Sequence, residues 1–204
     1  NRGKHIVTTA IEHPSVIESF EQLKALFGFD ISYIQVNEHG HADMTHLKEV
    51  LRPDTVLVSM MHVNNETGAI QPIEEAAGII REHAENALFH VDGVQGMCKV
   101  ALNKQLDVDL LTMSGHKIHG LKGTGALFLK KDVTLAPFIT GGEQELGLRS
   151  GTENPAGAVS LAKAMKQSFE QLDKYHDEML NLKTQLQKQL GDIEGIVMNT
   201  PQAL

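Results

Sequence analysis

Residues 55–63 read TVLVSMMHV, a run so nearly continuous in apolar side chains that only Ser59 and His62 interrupt it after the first threonine. A strand with one wet face alternates apolar and polar residues, so a strand of this composition calls for cover on both faces. Working outward, HIVTTAI (5–11) has the same character and DISYIQV (30–36) alternates. ALFHVDGV (87–94), VDLLTMSG (108–115) and GALFLKK (125–131) follow as further strands. Helical patterns separate them. Residues 14–28 carry Val16, Ile17, Phe20, Leu23, Leu26 and Phe27 at helical spacing and stop at Gly28. Residues 43–52 end at Pro53, and residues 72–85 begin with a proline suited to a first turn. Strands alternating with helices predict an α/β fold: a mostly parallel sheet sandwiched by helices.

Beyond NPAGAV the pattern changes. Met165, Leu172, Met179 and Leu186 recur at every seventh position, with Phe169, Leu182 and Leu190 near the same face. This predicts one long amphipathic helix over 154–190, or two with a soft break. IEGIVMN (193–199) reads as the first strand of another unit. The chain opens on Asn1 with a strand already under way, and the expectation is a piece of a longer protein.

Composition narrows the function. Of 204 residues, 41% are hydrophobic and 22% charged, which suits a globular protein with a substantial core. A net charge of −8 argues against nucleic acid or an anionic membrane as the main partner. No apolar run approaches the ~18 residues that span a bilayer. One cysteine, Cys98, excludes an internal disulfide framework and fits a reducing, cytoplasmic setting.

Ligands of open α/β sheets sit beyond the carboxyl ends of the strands. Four loops there are loaded with polar residues: EHPS (12–15), HVNNETG (62–68), HVDGVQG (90–96) and SGHKIHG (114–120). Asp92 closes an apolar strand, where a carboxylate needs a cationic or hydrogen-bonding partner. Lys117 follows a later strand in the same sense. Alone, Lys117 reads first as a solvated loop cation, ahead of a phosphate clamp or a nucleophile, and Asp92 as a cap or turn residue. Together they suit pyridoxal 5'-phosphate (PLP), whose aldehyde a lysine holds as a Schiff base and whose ring nitrogen an acid protonates. His62, His90, His116 and His119 raise a metal alternative, but no HxH or HExxH spacing accompanies them, so no metal site is expected.

TTAIEHPSV, MHVNNETGAIQPI, HVDGVQ, SGHKIHGLKGTGALFL and LRSGTENPAGAV occur in the order and approximate spacing of the cysteine desulfurase family, which this chain resembles from about Lys4 to about Ala164. That family is a class V, aminotransferase-like branch of the PLP enzymes. The resemblance implies that Lys117 carries the cofactor and acts as the α-proton base, and that His13 stacks on the cofactor ring at the reacting centre. It also implies contacts from Ser114 and His116 to the phosphate, from Asp92 to the pyridine nitrogen, and from Gln95 and Asn65 near the ring hydroxyl. Thr152 is implied to reach the phosphate held by a partner subunit, and so a homodimer. Residues 1–153 would be part of the PLP-binding large domain, and 154–204 a connecting helix and the start of a smaller one. The implied reaction takes sulfur from L-cysteine, leaves alanine and passes an enzyme persulfide to a sulfur-acceptor or scaffold protein in iron–sulfur cluster assembly or thiolation. Cys98 does not match the family's persulfide-forming cysteine, expected beyond Leu204, and reads as a small buried thiol in a helix packed on the sheet. The carboxylate-binding arginine and one phosphate loop are also expected outside the chain, so the chain alone is expected to bind PLP weakly or not at all and to be inactive. Alternatives are a selenocysteine lyase, a cysteine sulfinate desulfinase or an aminotransferase of the same branch, or a non-catalytic dimerisation piece.

Overall fold

The computed structural model describes residues 3–101 and 106–200. Six strands form one sheet: β1 (His5–Thr9), β2 (Asp30–Ile34), β3 (Thr55–Met61), β4 (Leu88–Asp92), β5 (Leu110–Ser114) and β6 (Gly125–Leu129), in the order β2-β1-β3-β4-β5-β6. The first five run parallel and β6 alone is antiparallel. The helices are α1 (Pro14–Phe27), α2 (Met44–Val50), α3 (Ile73–His83), α4 (Pro155–Glu170) and α5 (Leu172–Gly191).

Cover on both faces explains the apolar runs. On one face Val7, Val58, Met60, Phe89 and Val91 pack with Leu47 of α2 and Ile73, Ala76, Ala77 and Ile80 of α3. On the other, Ile6, Ile31 and Leu57 meet Val16 and Phe20 of α1. Farther along, Leu111 and Met113 meet Leu161 and Ala164 of α4. Successive strand residues serve opposite faces, as the pleat requires. His5 is buried in the middle strand of a trio. Its Nδ1 lies 2.8 Å from Thr55 Oγ1 and its Nε2 2.9 Å from Ser32 Oγ, which ties β1 to both neighbours. Burial lowers its pKa, so it is held as a neutral crosslink.

The helices begin and end where local chemistry directs. Asp43 caps α2 by accepting from the N–H groups of Thr45 and His46 at 2.8 and 3.1 Å. Asn154 caps α4 by accepting from Gly157 N–H at 2.9 Å. Gly28 closes α1 at φ 66°, a left-handed conformation that glycine adopts without a Cβ penalty.

The 154–190 stretch takes the second of the two forms expected for it, two helices, α4 and α5, broken at Gln171 (φ −113°, ψ 10°). Two expectations need correcting. Residues 193–199 form a turn and irregular chain instead of a strand, and Ile193, Ile196 and Val197 stand exposed. β-propensity is expressed only where a neighbouring strand offers a ladder, and none is present there among the described residues. Cys98 is buried as expected, but it sits in a run of turns after β4 at φ 61°, not in a helix. Among the described residues no helix is long and apolar enough to cross a membrane.

Candidate active site

Four neighbouring parallel strands, β1, β3, β4 and β5, end on the same edge of the sheet. Each is followed by a turn bearing candidate residues: His13 after β1, Asn65 after β3, Asp92 and Gln95 at and after β4, and Ser114, His116 and Lys117 at and after β5. The topology therefore gathers at one edge seven of the residues singled out in the sequence. Thr152 comes from elsewhere, exposed just ahead of the α4 cap, and forms no hydrogen bond to the others among the described residues.

Asp92 is buried at the end of β4, level with Thr112 of β5. Its Oδ1 accepts from Val94 N–H at 2.9 Å, which starts the turn that carries Gln95. Lys117 sits in a short 3₁₀ turn, Gly115–Ile118, immediately after β5, and is exposed. The turn is anchored by Gly115 N–H donating to Thr124 O at 2.9 Å and by Ile118 in the α4 cluster. Ser114 Oγ and His116 Nδ1 lie 2.9 Å apart, a hydroxyl–imidazole pair at the base of that turn. His13 is the exposed N-cap of α1, where its Nδ1 accepts from Ser15 N–H at 3.1 Å and lies 2.8 Å from Ser15 Oγ.

The HVNN asparagines divide their work. Asn64 is buried and structural. Its Oδ1 accepts from the N–H groups of Glu66 and Thr67 at 3.0 and 2.8 Å, and its Nδ2 donates to Ile11 O at 3.0 Å. Asn65 is exposed and thereby presented outward. Asn65, Gln95 and Lys99 line one cleft of about 1400 Å³, whose far wall is α5 with Met179, Lys183 and Gln187.

Two buried groups adjoin these turns without having been assigned a site role from the sequence. Glu12, next to His13, is buried, and its Oε1 accepts from Thr9 Oγ1 at 2.6 Å and from Met61 N–H at 2.7 Å. Burial pushes its carboxyl up to about 7, with the nearby Asp92 charge adding to the shift. His62 packs beneath the β4 turn, where a Cβ on Gly96 would strike its ring, and burial lowers its pKa. The EHPS motif named Glu12 as a loop residue, but only the fold reveals that its carboxyl turns inward.

Donor chemistry suits PLP. A buried carboxylate for a pyridinium, an amide for a ring oxygen, a lysine for an aldehyde and a hydroxyl–imidazole pair for a phosphate all lie at one edge. Cys98 does not belong to this set. It is buried with Met97, Ile118, Leu161 and Ala164, and burial raises its thiol pKa.

Known proteins place the chain in context. It is 45% identical to the putative cysteine desulfurase IscS 1 of Bacillus subtilis (strain 168) over 89% of this chain and 47% of that protein. Cysteine desulfurase IscS of Dictyoglomus turgidum is 40% identical over 94% of this chain and 49% of that one. A solved structure described as a NifS-like protein superposes with a TM-score of 0.95 at 38% identity, covering 99% of this chain and 55% of its own. The chain thus spans about half the length of the relatives it matches. The class-V aminotransferase model matches residues 1–204. The chain belongs to the class-V aminotransferase family.

Proposed function

We propose that this chain forms the cofactor-binding part of a PLP-dependent cysteine desulfurase, which converts L-cysteine to L-alanine and delivers the sulfur as an enzyme persulfide. The observation that carries this reading is the placement of Asp92 and Lys117 at the ends of adjacent parallel strands, with Gln95 in the intervening turn. The kinship to proteins named cysteine desulfurase supports the choice of substrate.

Bound PLP supplies an electron sink for the charge left when the substrate loses its α-proton. In this reading the rest is done by side chains. Lys117 would hold the cofactor's aldehyde and supply the base for the substrate's α-proton. Asp92, dry at the end of β4, holds a proton on the pyridine nitrogen. Gln95 and Asn65 serve the ring oxygen, Ser114 and His116 the phosphate, and His13 lies against the ring face. Thr152 serves the phosphate of a partner subunit in a homodimer. Cys98 is enclosed under α4 and does not take the sulfur; that thiol belongs to residues outside this chain, as does the acceptor or scaffold protein that receives it. Residues 1–153 are part of the cofactor-binding domain, and 154–204 connect to a smaller one. A cytoplasmic location agrees with the single reduced thiol.

The test is PLP binding by the full-length polypeptide. A visible absorbance band should form, borohydride should fix the cofactor to the peptide containing Lys117, and Lys117→Ala should abolish both. Covalent labelling at another lysine, or none in a folded protein, would overturn the reading.

A further inference from the structure

The turn after β4 carries Lys99 four residues beyond Gln95, and Lys99 Nζ lies 3.0 Å from Gln95 Oε1. Chemistry fixes what this contact means. An ammonium has three donors and no acceptor, so the amide must turn its oxygen toward Lys99. The Gln95 Nε2 group is then the one left to face the cleft, and among the described residues it meets no acceptor there. Without such a partner, the two amide orientations of a glutamine differ little in energy, and half of them would offer an acceptor to an acceptor.

Lys99 is also half-buried, an expensive place for an ammonium unless the charge is used. Burial lowers its pKa, and the charge of Lys117 lowers it further. In the same cleft, Glu66 after β3 supplies negative charge. His39 and His41 ahead of α2, with His176, Lys183 and Lys188 on α5, complete the titratable lining.

We propose that Lys99 is a positioning residue for cofactor binding: it locks the Gln95 amide so that Nε2 donates to the cofactor's ring oxygen, and places a positive charge beside the anionic form of that oxygen. The inference rests on the PLP reading above. It assigns Lys99 no contact with the reacting atoms; its action passes through Gln95 and through its charge.

Two substitutions separate this role from packing. Lys99→Met keeps the apolar stem and removes the donor and the charge, while Lys99→Arg keeps all three. In the PLP-loaded full-length protein, the protonation midpoint of the visible band should rise by about one pH unit in Lys99→Met, because loss of a nearby positive charge favours the protonated form. Lys99→Arg should restore the midpoint. In the cofactor-free protein, the Gln95 side-chain amide resonance should move in Lys99→Met and stay in place in Lys99→Arg. An unchanged Gln95 resonance or an unchanged midpoint in Lys99→Met would overturn the proposal. A parent protein that forms no band at Lys117 would overturn the PLP reading instead, while the amide resonance still decides the Lys99 contact.

Discussion

Glu12 Oε1 accepts the backbone N–H of Met61 at 2.7 Å, so a single carboxyl after β1 holds the end of β3. The same oxygen takes the Thr9 hydroxyl at 2.6 Å, while its other oxygen, Oε2, is buried with no partner among the described residues. Together with the Asn64 bond to Ile11 O, this latch joins the loop that carries His13 to the loop that carries Asn65.

The latch predicts a pH signature in stability. Burial pushes the folded Glu12 carboxyl up to about 7 from an ordinary 4.5, so between those values the folded state binds more protons than the unfolded one. Its contribution is present in full below about pH 4.5 and is lost as pH rises through 7, a change of about 3 kcal/mol. His62 and His90, whose pKa values burial lowers, titrate with the opposite sign. The measurement is therefore a difference: denaturant midpoints of parent and Glu12→Gln across pH 4 to 8. The variant keeps the acceptor, and its stability relative to the parent should grow with pH; a constant difference would contradict the buried-acid account.

Gly96→Ala should destabilise the fold by about 2 kcal/mol, because the new methyl meets the His62 ring in a packed site. Thermal melts of the single variant and of Gly96→Ala combined with His62→Ala check it. If the two substitutions are additive, the clash is not the cause.

At the opposite end of the strands, Asp109 is nearly buried between three donors. Its Oδ2 accepts from Arg81 Nη2 at 2.8 Å and from Phe89 N–H at 2.7 Å, and its Oδ1 lies 3.7 Å from Lys130 Nζ. Arg81→Met should cost about 2 kcal/mol by leaving that carboxylate short of a countercharge. Chemical denaturation reads the loss, and the PLP band should keep its position because the network lies away from the candidate site.

Cys98 should resist thiol reagents in the native protein, since burial both covers it and raises its pKa. Cys98→Ala should leave the PLP band unchanged. Rapid native labelling at neutral pH would show that the α4 cluster opens.

Much of this was readable before any coordinates. Val7, Val58 and Phe89 announced buried strands because a strand covered on both faces cannot alternate, and Asp92, Gln95 and Lys117 stood out by motif. The antiparallel direction of β6 was available in principle, since the connection from Ser114 to Gly125 is too short for a parallel crossover. The strand expected at 193–199 was not, because pairing depends on a neighbour that a local pattern does not contain.

The sequence by itself determined the alternation of elements, the buried character of the sheet and the residue types at its loaded edge, because periodicity and motif spacing are local properties. Tertiary structure decided the rest: that Asn64 is the buried brace and Asn65 the exposed one, that Glu12 turns inward, that Cys98 is enclosed under α4, and that Lys99 takes the oxygen of Gln95. Burial and hydrogen-bond partners arise from residues far apart in the chain, and those long-range contacts set which groups keep a proton, a charge or a free donor.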